Sequence, residues 1–189
     1  VWILTAATGL VAAGLWAIFF SAGSAPRDRP IPNWPIEGRD FGETPLRIVA
    51  FGTSLTAGND WPRRLGTGLT ACLGHPVEMI RVAEPGMGSS WALEQVADVA
   101  AFEPEVVLIE FSINDADLRD GVSRSRGRRQ HEALIESLQK ELPEARLVLM
   151  TMSPAYGLRG LLRPFLAEHY ADVADLAYAR DLGLIDLHP

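Results

Sequence analysis

Short apolar runs alternate with helix-length segments from Leu46 onward, and this alternation is the strongest constraint on the fold. The runs are bounded by turn residues, as buried strands are. They cover residues 46–51, 77–83, 105–111, 146–152 and 183–187. Predicted helices cover residues 61–73, 90–101, 128–142 and 164–181. Such a series predicts an α/β fold, with a parallel sheet that helices cover on both sides.

The residues before this series form two further segments. Residues 1–20 contain no charged side chain and have the length of a membrane-spanning helix. We interpret them as an N-terminal anchor, with a signal segment as the alternative because small residues follow at 21–25. Residues 21–45 contain five prolines and predict an extended linker to a domain at 46–189. We expect membrane attachment, in a bacterial inner membrane, with the domain facing the periplasm or the exterior.

Charge and cysteine content exclude several function classes. The net charge of -7 argues against a nucleic-acid partner. Cys72 is the one cysteine, so an internal disulfide is impossible. It lies on a predicted helix, and we interpret it as a buried small residue. Because no Cys/His cluster has the spacing of metal ligands, we expect neither a metal nor a cofactor.

Polar residues follow three successive strands, in the turns after residues 51, 83 and 111. Ser54 follows the first, Gly86 the second and Asn114 the third. Because right-handed crossovers bring the carboxyl ends of parallel strands to one edge, these residues are predicted to meet. A hydroxyl, backbone N–H groups and an amide can form an acyl-transfer site with an oxyanion hole. Glycine at position 86 lets the backbone approach a substrate closely and adopt a positive φ. Each residue also has a purely local interpretation, as a turn serine, a glycine in an ordinary strand-to-helix turn, or an Asx-turn or helix cap.

These segments resemble the SGNH or GDSL-like hydrolases. Phe51–Gly58 is similar to the first sequence block of that family, with Thr53 in place of the usual Asp. Gly86 corresponds to the glycine of the second block. Ser112–Asp115 is similar to the third block, Gly-x-Asn-Asp, with Ser112 in place of the glycine.

The resemblance implies a three-layer α/β/α, flavodoxin-like fold and the hydrolysis of an acyl ester. Esterases, lipases, thioesterases and carbohydrate O-acetylesterases belong to this group. Ser54 would then be the nucleophile, and its N–H would form the oxyanion hole with Gly86 and Asn114. The substrate would be a small-molecule, carbohydrate or lipid acyl ester.

The resemblance also implies an Asp-x-x-His pair after the fifth strand. Asp186 and His188 are the candidates in the sequence, but their spacing is one residue short. We therefore expect the true pair beyond residue 189 and an inactive 189-residue chain, with His188 kept as the alternative base. The other histidines, His75, His131 and His169, are interpreted as surface or packing residues. His131 and His169 lie on predicted helices, on or beside polar faces.

Two other function classes compete with an enzyme of this kind. One is a non-catalytic ligand-binding module on the same fold. The other is a dinucleotide-binding oxidoreductase, suggested by Gly86-Met87-Gly88 but disfavoured because Trp91 occupies the place of the third glycine. A basic cluster after Asn114 is either a solvated loop and helix start or a rim for an anionic substrate or lipid headgroups. Its members are Arg119, Arg124, Arg126, Arg128 and Arg129.

Overall fold

A five-stranded parallel sheet forms the centre of the computed structural model, which describes residues 44–188. The strands are β1 (Leu46–Gly52), β2 (Val77–Ala83), β3 (Val106–Glu110), β4 (Arg146–Met150) and β5 (Gly183–Ile185). Their order across the sheet is β2-β1-β3-β4-β5, and every neighbouring pair is parallel. This is the flavodoxin-like order, in which the direction of winding reverses between β1 and β3. The predicted parallel α/β sheet is confirmed.

Eight helices connect and flank the strands within residues 44–188. They are α1 (Ser54–Ala57), α2 (Trp61–Leu73), α3 (Ser89–Glu94), α4 (Val96–Ala100), α5 (Ser112–Asp115), α6 (Arg124–Glu141), α7 (Gly157–Leu161) and α8 (Leu166–Ala179). The helix predicted at 90–101 is two helices, because the chain leaves helical geometry at Gln95. The start of α6 lies four residues before the predicted one, because the Ser123 hydroxyl caps the Arg126 N–H.

Both faces of the sheet are covered by helices, and strand alternation assigns the core residues to them. Val107 and Ile109 of β3 belong to the cluster that packs α3, α4, α6 and α8 on one face. Leu108 belongs to the cluster on the other face, where α2 and the first turns of α8 pack. These three residues are at most 5% exposed, which agrees with a central strand buried on both sides.

The apolar stripe of α2 faces the sheet, as its four-residue spacing predicts. Cys72 is exposed on this helix, so the prediction of a buried cysteine was wrong. The reason is geometric, since Leu69 and Leu73 define the packed stripe and Cys72 points about 100° away from Leu73 around the helix axis.

The predicted membrane anchor at residues 1–20 and most of the linker lie outside the described residues. Among the helices between residues 44 and 188, none combines the length and the apolar character needed to cross a membrane.

Candidate active site

Ser54 is the first residue of α1, two residues after the carboxyl end of β1. Thr53 connects the strand to the helix and caps the helix, since its hydroxyl accepts a hydrogen bond from the Leu55 N–H at 3.2 Å. Gly58 closes the turn by donating its N–H to the Ser54 carbonyl at 2.9 Å. Thr53 is buried while Ser54 is exposed. The turn therefore presents the serine side chain to solvent from a fixed backbone.

A cleft of about 560 Å³ opens at this serine. Gly86 and Asn114 line it together with Ser54, so the structure brings the three predicted residues to one place. Ser54 and Asn114 follow β1 and β3, the two strands between which the winding reverses. Ligands of open α/β sheets bind at this position. Gly86 has a φ of 83°, so the predicted positive φ is confirmed.

Asn114 and Asp115 both hold the loop that carries Gly86. The Asn114 amide donates to the Met87 carbonyl at 2.8 Å, and its nitrogen carries a second hydrogen for another acceptor. Asp115 accepts a hydrogen bond from the Ser89 N–H at 2.9 Å. Both side chains are buried. Two consecutive residues after β3 therefore fix the position of the loop after β2.

Asp115 also lies beside one of two buried histidines. The His131 Nδ1 atom is 3.6 Å from Asp115 Oδ2 and 2.9 Å from the Gly127 carbonyl oxygen. His169 packs against Gly127 on the adjacent helix. Burial lowers the pKa of His169, which keeps the ring neutral. Both histidines are buried, so of the two roles expected for them, surface or packing, only packing agrees with the structure.

Glu110 is a buried carboxylate beneath the turn that carries Ser54. It accepts a hydrogen bond from the Thr53 N–H at 2.7 Å and from the Thr56 hydroxyl at 2.6 Å. The Thr53 hydroxyl lies 3.0 Å from both carboxylate oxygens. Burial raises the pKa of Glu110 to about 7, against the opposing effect of these hydrogen bonds. Glu110 is not among the residues predicted from the sequence, although a charged residue at the end of a buried apolar strand is a signal for such a role.

A charged wall forms another side of the cleft. Asp117 is buried and binds Arg119 at 2.8 Å and Arg163 at 2.7 Å. The Arg119 guanidinium, with help from Arg163, lowers the pKa of Asp117 to about 2. Arg163 also donates to the Ile113 carbonyl at 2.7 Å. Arg159 and Tyr156 complete the cleft on the side of α7.

The predicted basic cluster does not act as a unit. Arg119 lines the cleft, whereas Arg124 and Arg128 lie on α6 and pair with Asp172 of α8. Arg126 and Arg129 are exposed. Only the first member of the cluster therefore belongs to the candidate site.

Asp186 and His188 do not line the cleft. Asp186 accepts a short hydrogen bond from the Thr151 hydroxyl, and the His188 N–H lies 3.2 Å from Asp186 Oδ1. The His188 ring packs edge-on against Tyr170, with 5.1 Å between the ring centroids. The structure thus does not bring this histidine together with Ser54.

A larger groove of about 810 Å³ lies between α2 and the edge strand β2. Gly66, Met79 and Arg81 line it, and it contains none of the residues at the carboxyl edge of the sheet. We therefore place the candidate active site in the smaller cleft, where the polar groups converge.

Comparison with known proteins agrees with this geometry. The sequence profile of the GDSL-like lipase/acylhydrolase family matches residues 50–189, a range that contains Ser54, Gly86 and Asn114. The chain belongs to this family. In this GDSL-like chain the three candidate residues lie on the turns after β1, β2 and β3, and Thr53 and Ser112 differ from the family motifs described above.

Solved structures of GDSL-like and related proteins share the fold. The chain is similar to the lipase/acylhydrolase from Enterococcus faecalis, with 26% identity, a TM-score of 0.66 and 75% of each chain covered. It is also similar to AlinE4, an esterase of the SGNH-hydrolase family, with 25% identity, a TM-score of 0.60 and 75% and 76% of the two chains covered. TesA has 21% identity and a TM-score of 0.59, with 73% and 76% covered, and shows the fold alone. A search of curated protein sequences found no match.

Proposed function

We propose that this protein hydrolyses acyl esters and that Ser54 is its nucleophile. The observation that carries the proposal is that Ser54, Gly86 and Asn114 line one cleft, at the edge of the sheet where the direction of winding reverses between β1 and β3. A hydroxyl on a rigid turn, next to a glycine loop and a buried amide, is the arrangement that acyl transfer requires.

In this mechanism the Ser54 hydroxyl attacks the ester carbonyl carbon and gives its proton to a base. The carbonyl oxygen becomes an oxyanion, and the N–H groups of Ser54 and Gly86 and the Asn114 amide donate hydrogen bonds to it. The intermediate then collapses, the C–O bond to the alcohol breaks, and the alcohol leaves with the proton from the base. Water hydrolyses the acyl-serine by the same steps and regenerates Ser54.

The base in this proposal is a histidine oriented by an aspartate. We place this pair beyond residue 189, because Asp186 and His188 do not line the cleft. The cleft combines the charged wall at Asp117 with apolar residues such as Leu55 and Pro154. A short acyl group against the apolar side and a polar alcohol against the charged side fit this lining best.

Labelling with a fluorophosphonate probe tests the nucleophile directly. In the protein extended downstream of residue 189, we expect the probe to label Ser54 and the Ser54→Ala substitution to abolish both labelling and hydrolysis of 4-nitrophenyl acetate. Ser153 is the matched control, because it is an exposed serine that lines the same cleft after β4. Ser153→Ala should keep most of the activity. Loss of labelling in Ser153→Ala but not in Ser54→Ala would contradict the assignment.

The same assay decides where the base lies. We expect the 189-residue chain to be inactive, the extended chain to be active, and His188→Ala to leave the extended chain active. If the extended chain binds an ester without turning it over and without being labelled, the protein is a non-catalytic binding module.

A further inference from the structure

We propose that Glu110 is the positioning residue of the nucleophile turn, and that its ionised carboxylate holds Ser54 in its reactive geometry. This inference rests on the proposed function, since it assigns Ser54 as the nucleophile. It goes beyond that function because it makes the activity depend on a group that does not touch the substrate.

The hydrogen bonds to Glu110 come from both sides of Ser54. Thr53 donates its backbone N–H and Thr56 donates its hydroxyl, at 2.7 and 2.6 Å. The Ser54 N–H shares a planar peptide group with the Thr53 carbonyl. That carbonyl accepts hydrogen bonds from the N–H groups of Thr56 and Ala57 at 3.0 and 2.9 Å, so the bonds of Thr53 and Thr56 to Glu110 help to fix the direction of the Ser54 N–H. Glu110 thus helps to position the Ser54 N–H, which is one of the donors that the oxyanion needs.

Steric contact restricts the same turn. A Cβ atom at position 52 would overlap the Glu110 carboxylate and the Thr56 hydroxyl, so only glycine fits where β1 approaches Glu110. Glu110 is 2% exposed, which leaves it little freedom to move away. The carboxylate, the strand end and α1 therefore form one packed unit.

Only the ionised form of Glu110 satisfies all of these donors. A carboxylate accepts every hydrogen bond offered, whereas a neutral acid must donate one itself. The Thr53 hydroxyl already accepts a hydrogen bond from the Leu55 N–H. If the acid proton donates to the Thr53 hydroxyl, that hydroxyl no longer donates to Glu110, and the Thr53 N–H and the Thr56 hydroxyl donate to a neutral acceptor instead of a charged one. Protonation therefore weakens the hydrogen bonds that hold the turn. With a pKa of about 7, this change falls within the physiological pH range.

Few other titratable groups face this carboxylate in the described part of the chain. On the β1 and α1 side its partners are Thr53 and Thr56, which do not titrate in this range. On the α8 side lies the phenol of Tyr170, whose pKa is raised by burial and then by the Glu110 charge, so it stays neutral. The charge of Arg163 lowers the pKa of that phenol and the charge of Asp186 raises it.

Replacing Glu110 with glutamine imitates the protonated acid. At pH 8, where the wild-type carboxylate is ionised, we expect kcat of Glu110→Gln to fall about 10-fold, roughly the effect of one hydrogen bond to a charged group, with KM little changed. At pH 5.5 the wild-type acid is itself protonated, so the two proteins should differ less than twofold. Glu105→Gln is the matched control, because Glu105 lies directly before the first residue of the same strand and accepts a hydrogen bond from the Arg47 N–H at 2.7 Å. Its kcat should match the wild type at both pH values.

A second pair of variants tests the direction of the pH effect. Thr56→Val removes a hydroxyl that lowers the pKa of Glu110, and should shift the rise of kcat to higher pH. Thr56→Ser keeps the hydroxyl and should leave the profile in place. An equal loss of kcat at pH 5.5 and pH 8 in Glu110→Gln, or the same loss in Glu105→Gln, would overturn the proposal.

An NMR titration separates this inference from the proposed function. The Thr53 amide proton should titrate with a midpoint near pH 7 in the wild type and should not titrate in Glu110→Gln. If it does so in a protein without esterase activity, the positioning of the turn stands and the proposed function fails. If the protein is an active esterase and the Thr53 amide shows no titration, the role of Glu110 fails alone.

Discussion

At the scale of single residues, the site depends on groups that have two partners. Asn114 illustrates this, because its amide donates to the Met87 carbonyl and still has a hydrogen for the cleft. An asparagine that only capped its own helix would not need this contact with the loop after β2. This contact agrees with the burial of Asn114, which is 6% exposed and still lines the cleft.

Replacing Asn114 with alanine tests this double role. We expect kcat to fall by about 10²–10³-fold, the usual cost of one oxyanion donor, with a smaller change in KM. Asn59→Ala is the control, since the Asn59 amide only donates to the Leu55 carbonyl at an exposed position. A normal kcat in Asn114→Ala would show that this residue only holds the Gly86 loop.

Sequence patterns predicted Ser54, Gly86 and Asn114 because each occupies the turn after a recognisable strand. They did not predict the partners of these residues. Glu110 reaches Thr53 from 57 positions along the chain, and Arg163 reaches Ile113 from 50 positions away. The local periodicity of a sequence does not reveal contacts between residues so far apart along the chain. The carboxylate at the end of β3 was the one visible signal, since an unpaired charge in a buried strand is costly.

At the scale of elements, the cleft walls come from segments after β3 and after β4. Arg163 joins them, because its guanidinium binds Asp117 and the Ile113 carbonyl on one side and the Arg159 carbonyl on the other. This connection explains the position of α7, which sequence analysis did not predict. Gly157 and Gly160 make that segment a poor helix by propensity, and tertiary contacts decide its structure.

Replacing Arg163 with methionine should separate these two segments. The free energy of unfolding should fall by about 2 kcal/mol, because buried Asp117 loses one of its two cationic partners. Arg180→Met is the control, since Arg180 pairs with exposed Glu136 and should contribute less than about 1 kcal/mol. Urea denaturation measures both, and equal small losses would contradict the structural role of Arg163.

At the scale of the whole molecule, the buried Glu110 carboxylate lowers the free energy of unfolding at the pH values where it is ionised. Unfolded Glu110 loses its proton near its ordinary pKa of 4.5, whereas in the folded state it does so near 7. Between these values the folded protein binds more protons than the unfolded chain, so stability decreases as pH rises.

This difference predicts how stability depends on pH. From pH 5 to pH 8, Glu110 should lower the free energy of unfolding by about 2–3 kcal/mol, and Glu110→Gln should remove that decrease. Urea titrations of both proteins at the two pH values measure it, with Glu105→Gln as the control that keeps the wild-type slope. If Glu110→Gln loses as much stability between pH 5 and pH 8 as the wild type does, then other titratable groups cause the decrease.

The close packing of Gly52 against Glu110 also has an evolutionary consequence. Four positions, 52, 53, 56 and 110, share one small volume and one set of hydrogen bonds. No one of them can change freely while the others stay the same. Among relatives that carry a glutamate at position 110, we expect glycine at 52 and hydrogen-bond donors at 53 and 56. In relatives without the glutamate, we expect positions 52, 53 and 56 all to vary.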